Sequence, residues 1–247
     1  MTLDEVCDAI IELLPLSEGN LGFVSPSHFV SQMVSIVNEL WKRGYHPTII
    51  YNTNGYDLPQ TMQSLEGMVD VWLPDFKYSD DSLAVELSEA PGYSAIALAA
   101  LKAMTYQVGV TLQTDDRGIA RRGIIVRHLV LPGFVQNSIG VLKIIAEEIS
   151  PNLHISLMSQ YYPPSGNLRF ANPDLRLHSI NRKSKIENRK SLQRPITHKE
   201  YQKVLDAFHI LGFFRGWLQD YDSHLSYRPN FCFKDPFLES NQRWKDG

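Results

Sequence analysis

Short apolar runs that break off into polar residues recur five times along the chain, at Asn20 to His28, Thr48 to Tyr56, Val69 to Tyr78, Ile124 to Gly133 and His154 to Tyr161. Each run has the length of a strand, and most are separated by stretches whose apolar residues repeat at helical spacing. In Val69 to Tyr78, VDVWLPDFKY, four of the first five residues are apolar, which predicts a strand buried on both faces inside a parallel sheet. Pro74 ends it, so Asp75 and Lys77 fall on the loop leaving its carboxyl end, where ligands sit in open α/β sheets and in barrels.

The helical stretches are equally readable. Leu3, Val6, Cys7, Ile10, Leu13 and Leu14 make an amphipathic helix from Thr2 to Leu14, stopped by Pro15. After the first strand, Ser27 is placed to cap a helix burying Phe29, Val30, Met33, Val37, Leu40 and Trp41. Further helices are expected at Gln60 to Leu65, across Asp80 to Val108 with Pro91 opening the second half, and at Ser138 to Ser150. Thr111 to Arg122 is polar and reads as a surface loop. Thr197 and Glu200 form a capping box for a last helix to Leu211, followed by an aromatic tail without a period.

Composition narrows the class. A chain of 247 residues buries a core without staples. Its two cysteines, Cys7 and Cys232, make neither a disulfide framework nor a zinc site, which points to a reducing, cytoplasmic setting. No run approaches the ~18 apolar residues of a membrane span. The net charge of -3 gives no bias toward nucleic acid. Residues 165–196 carry eight Lys or Arg against Asp174 and Glu187 and read as a basic, flexible linker, or as a contact for a partner. The chain thus divides into 1–164, a linker at 165–196, and a carboxyl-terminal helix with an irregular tail at 197–247.

Candidate chemistry gathers on the strand exits. Asn52, Thr53, Asn54 and Gly55 are either a plain turn or a polar patch facing a ligand. Arg127 and His128 sit in an otherwise apolar strand, which requires that they be paired, Arg127 with Asp75 for instance, or face a ligand at the mouth. Lys77 beside Asp75 is also placed to form a Schiff base with a carbonyl substrate. Cys7, on an apolar stripe, reads as a small core residue. Repeated strand and helix units imply parallel strands with right-handed crossovers. They fit a doubly wound sheet or a partial (β/α) barrel, and polar clusters at every strand end favour the barrel.

Asn52-Thr53-Asn54-Gly55, Asp75-Phe76-Lys77 and Arg127-His128-Leu129-Val130-Leu131-Pro132-Gly133 resemble, in order and spacing, the radical S-adenosylmethionine proteins similar to pyruvate formate-lyase activating enzyme. Ser25-Pro26-Ser27-His28, Leu73 to Tyr78 and Met158-Ser159-Gln160-Tyr161 are similar to an uncharacterised branch of that group. The resemblance implies an α/β fold, a partial TIM-like (β/α) barrel, with a four-iron four-sulfur cluster and S-adenosylmethionine at its open end. It assigns Ser25 and Ser27 to the cofactor's amino group and Asp75 and Lys77 to its ribose and carboxylate side. Arg127, His128 and Gln160 frame its adenine and carboxylate, and Asn52, Thr53 and Asn54 complete the rim.

This chain departs from that pattern at the cluster. The CxxxCxxC loop that holds it, and the strand before that loop, have no counterpart here. The expectation is therefore a truncated or degenerate member that lacks its first strand, binds no cluster, and binds S-adenosylmethionine weakly or not at all. Full-length relatives would activate a glycyl radical enzyme, a protein substrate. Here the uncovered first strand is expected to promote self-association, unless another segment such as the aromatic tail covers it. A Schiff-base lyase using Lys77 and a noncatalytic binding platform are the alternatives.

Overall fold

The computed structural model describes residues 1–163 and 190–223. The strands are β1 (Asn20–Val24), β2 (Thr48–Thr53), β3 (Val71–Pro74), β4 (Gln113–Thr114), β5 (Ala120–Leu129), β6 (His154–Met158) and β7 (Gly216–Leu218). The helices are α1 (Leu3–Leu13), α2 (Val30–Lys42), α3 (Pro59–Ser64), α4 (Asp81–Ser88), α5 (Tyr93–Val108), α6 (Val135–Glu148) and α7 (His198–Ile210).

Six strands pair in parallel in the order β1-β2-β3-β5-β6-β7, while β4 pairs antiparallel with β5. The order follows the chain with no reversal. With right-handed crossovers, that order carries successive helices to the same face of the sheet. The architecture is α/β with a mostly parallel seven-stranded sheet, compatible with a partial (β/α) barrel.

The two faces differ sharply. Phe23, Ile49, Tyr51, Trp72, Ile124, Val126, His128, Ile155 and Leu157 are buried on the face covered by α2, α5, α6 and α7. Those helices contribute Met33, Val37, Ala97, Leu101, Val141, Ile145, Val204 and Phe208 to the same core. The alternate residues, Ile50, Asn52, Leu73, Ile125, Arg127, Leu129, Ser156 and Met158, are only partly buried. The prediction of a strand buried on both faces holds at the start of β3, where Val71 and Trp72 are both buried, and fails beyond it: Leu73 opens to the second face, and one-sided burial alternates on through Asp75 and Lys77.

That second face is concave. Arg121 at the start of β5 donates through Nη1 to Asn20 Oδ1 on β1 (3.2 Å) and to Thr48 Oγ1 on β2 (3.1 Å). In a flat sheet β1 and β5 would lie three spacings apart, ~14 Å, at the limit of one side chain's reach.

Several element boundaries differ from the sequence expectation. Thr111 to Arg122 is not a plain loop, because Gln113 and Thr114 pair with a β5 that begins at Ala120. Ser27 does not cap α2, because it lies in a 3-10 turn at Pro26–His28 and the helix starts at Val30 after Phe29. The tail is not wholly irregular, since Gly216–Leu218 adds β7 beside β6. It therefore extends the edge opposite β1, and among the described residues no strand covers the outer side of β1. In the expected linker, Leu192 and Ile196 are buried and Arg194 is ion-paired to Glu200 at 2.7 Å; residues 165–189, the tail beyond Ser223 and Cys232 lie outside the described residues.

Candidate functional site

Past Pro74 the chain stays extended. Asp75 N donates to Thr53 O (2.9 Å) and Phe76 N to Arg127 O (2.9 Å), so Asp75 is wedged between the exits of β2 and β5. Its neighbour across the second gap is Arg127, which by the period of two points to the same concave face. Arg127 Nη2 lies 2.7 Å from Asp75 Oδ1 and donates to Asn52 Oδ1 at 2.7 Å. Lys77 Nζ approaches Asp75 Oδ2 at 3.3 Å.

The internal Asp75–Arg127 salt bridge anticipated as one reading of the sequence is thus present, but it leaves capacity unused. Asp75 Oδ1 is met off the hydrogen-bonding direction, and neither it nor Arg127 Nε has a hydrogen-bond partner among the described residues. Buried polar atoms without partners carry a cost of about 1–3 kcal/mol each, offset at Asp75 Oδ1 by its ion pair with Arg127.

A cavity of about 340 Å³ opens here, lined by Asp75, Lys77, Tyr78, Arg127, Leu129, Leu131, Met158 and Gln160. Two cations against one carboxylate leave it net positive. Leu129, Leu131 and Met158 form an apolar wall. Its volume sits at the lower end of the range for small-molecule sites, roughly 300–1,000 Å³.

The loop carrying Asp75 and Lys77 is held from behind. The Tyr93 hydroxyl accepts from Lys77 N (2.9 Å) and faces the carbonyls of Asn54 (2.9 Å) and Asp75 (3.2 Å). Burial pushes its ionisation far above the ordinary phenol range. Asn137 on α6 donates through Nδ2 to Lys77 O (2.9 Å) and accepts from Ser79 N (2.9 Å). Gly55, at φ +80°, packs so closely that a Cβ there would lie 2.1 Å from Asp75 O.

Of the ten candidates, Asn52, Asp75, Lys77, Arg127 and Gln160 converge. The other five stand elsewhere. Thr53 is buried on the helix-covered face, with its hydroxyl on Asp57. Asn54 is exposed and its Oδ1 accepts from Tyr56 N at 2.9 Å, which shapes the turn. Ser25 is exposed at φ 53° and binds Asn52 O through its backbone N–H at 2.7 Å. Ser27 lies against the Tyr51 phenol.

His128 is fully buried on the helix side. Its Nδ1 lies 2.7 Å from Phe76 O, an acceptor only, so Nδ1 carries the proton and Nε2 accepts from Ser138 Oγ at 2.8 Å. Burial holds its pKa down to about 4. A serine and histidine so paired resemble a nucleophile and its base. Both are sealed at zero exposure, so the pair joins β5 to α6 and has no route to a substrate.

Sequence reasoning missed Tyr93, Asn137 and Ser138, and also Gln219, which reaches Gln160 from just past β7. The polar Asn137-Ser138 pair opening an apolar helix was the available signal. Among the described residues no three His, Cys, Asp or Glu side chains gather as a metal site, and no helix is long and apolar enough to cross a membrane.

Fold and site together define an α/β protein with a net positive cavity at the carboxyl ends of its parallel strands. No family model matches the chain. It is 27% identical over 134 residues, 53% of its length, to an uncharacterized protein of Methanocaldococcus jannaschii. The match covers 34% of that protein, so the chain spans about a third of its relative's length.

Proposed function

We propose that the chain is a partial (β/α) barrel of the radical S-adenosylmethionine type, similar to the glycyl radical activases. Its strand-end cavity would take S-adenosylmethionine or a related nucleoside-bearing amino acid. The observation that carries the reading is the convergence of Asn52, Asp75, Lys77, Arg127 and Gln160, from the exits of β2, β3, β5 and β6, on one concave face. A zwitterionic amino acid needs an acceptor for its ammonium and cations for its carboxylate. Asp75 is a group of the first kind and Arg127 and Lys77 are groups of the second, and the apolar wall suits a nucleoside.

The cluster does not fit this chain. Three thiolates are needed to hold it with one iron open, and the sequence holds two cysteines. Cys7 is fully buried on α1 with its sulfur 4.0 Å from Ile36 O, and burial pushes its thiol up. No reductive step is assigned to this chain by itself.

Equilibrium titration with S-adenosylmethionine tests the reading. Weak saturable binding is expected, with Kd on the order of 0.1–1 mM, about -4 to -5.5 kcal/mol. Arg127→Ala should weaken it about tenfold or more. An absence of saturable binding at millimolar ligand would remove the proposal.

A further inference from the structure

Gln219 follows β7, in the part of the tail that carries no motif, yet its side chain meets the cavity's far wall. Its backbone N–H donates to Leu157 O at 3.1 Å and its carbonyl accepts from the Tyr201 hydroxyl at 2.7 Å, so its position is fixed from both sides. Its side-chain amide bridges two partners: Ser159 N donates to Gln219 Oε1 at 3.0 Å, and Gln219 Nε2 donates to Gln160 Oε1 at 3.0 Å.

The directions are not interchangeable. An amide N–H of the backbone can only donate, so the atom of Gln219 facing Ser159 must be the oxygen. The other end of Gln219 is then its NH2, and the atom of Gln160 that meets it must be an acceptor. Gln160 is left to turn its own NH2 toward the cavity, where its acceptor is the Met158 thioether at 3.8 Å, a weak one. One backbone donor just past β6, Ser159 N, therefore sets the polarity of two linked side chains.

We infer that Gln219 is a positioning residue that makes the Gln160 wall of the cavity a hydrogen-bond donor, so that the site selects ligands bearing a carboxylate. With Gln160 turned this way, the cavity lining holds three donors: Arg127, Lys77 and the Gln160 amide. Its one acidic group, Asp75, is already flanked by both cations. An anionic oxygen is the group that all three donors can share. The inference rests on the cavity reading proposed above, and it adds a residue that acts through Gln160 without touching the ligand.

Gln219→Glu in the full chain tests it. A carboxylate there still accepts from Ser159 N, but its second oxygen now requires a donor, so Gln160 must turn over and present Oε1 to the cavity. Two probes separate the effects: S-adenosylmethionine, and its decarboxylated form, which keeps the nucleoside, the sulfonium and the ammonium and lacks only the carboxylate. Q219E should bind S-adenosylmethionine about tenfold more weakly and the decarboxylated form without loss. In nitrogen-15 spectra without ligand, the Gln160 side-chain amide should shift. Gln160→Glu, which keeps the acceptor toward Gln219 and places a carboxylate oxygen in the cavity, should weaken S-adenosylmethionine in the same direction and serves if Q219E folds poorly.

Equal loss for both probes in the folded variant, or no loss for either, would overturn the inference. If the unaltered chain takes up neither nucleoside, the proposed function fails by itself. The ligand-free arm then decides: a Gln160 resonance unmoved in Q219E overturns the inference, and a moved one upholds it.

Discussion

At the scale of single residues, His128 shows how the burial of one ring writes a pH dependence into the fold. Its imidazole is neutral in the folded chain, with a pKa near 4 against an ordinary 6.5, and burial is the main cause. The unfolded chain takes up the proton first as pH falls. Stability from this group is therefore complete above pH ~6.5, declines as pH drops toward 4, and is fully lost below that. The shift corresponds to about 3 kcal/mol over the window. Denaturant unfolding at pH 7.5 and 4.5 should show this loss, and His128→Asn, less stable at neutral pH, should lack that component. Glu200, held down to about 2 mainly by Arg194, contributes in a separate window, lost as pH falls from its ordinary 4.5 toward 2. Gly55 is the backbone counterpart. Gly55→Ala forces a Cβ against Asp75 O in a left-handed conformation, and a loss of about 1–3 kcal/mol is expected in the same assay. Weakened ligand binding should accompany it, because the atom displaced belongs to Asp75.

At the scale of elements, Asn137 is the peg between α6 and the β3 exit. Asn137→Ala removes an acceptor from Ser79 N and a donor from Lys77 O, which should cost about 2 kcal/mol. Amide exchange at Lys77 to Asp80 should speed up while α5 stays protected. β7 depends on a close approach: a Cβ on Gly216 would lie 1.9 Å from Ile155 O. Gly216→Val should detach β7 from β6, visible as faster exchange at Gln219, whose N–H is bonded to Leu157 O. The two cases mark how far the sequence could be read. Strands β1, β2, β3, β5 and β6 and the long helices were legible because burial on one face imposes a period that survives as pattern. β7 was not: all three of its residues are exposed, so nothing periodic marks it, and its pairing comes from tertiary contact. The cavity was half legible for the same reason. Asp75, Lys77 and Arg127 stand out as charges at the ends of apolar runs, whereas Tyr93, Asn137 and Gln219 act from elements whose sequences look like ordinary helix or tail. His128 looked like a site residue because a polar ring in an apolar strand is conspicuous. The period of two places it opposite Arg127, on the sealed side.

At the scale of the whole molecule, the sheet has two open edges among the described residues. Gly19 O and Ser25 N bond to β2, so Leu21 and Phe23 turn their backbone groups inward to the sheet and Gly22 and Val24 turn theirs outward. Val24 is 69% exposed, and Leu16, 81% exposed, lies on the 3-10 turn that precedes this strand. Edges of this kind pair with one another. Sedimentation over a hundredfold range of concentration should show self-association, and Val24→Lys should suppress it. A single monomeric species at all concentrations would count against this.

The strand order has a consequence for synthesis. Each parallel strand pairs with the one before it along the chain, so a polypeptide emerging from the ribosome can add β2 to β1 and then β3 to β2 while the rest is still untranslated. Assembly in that direction needs no late threading step. It should leave a nascent chain that already holds Asn52 and Asp75 side by side before Arg127 has been made.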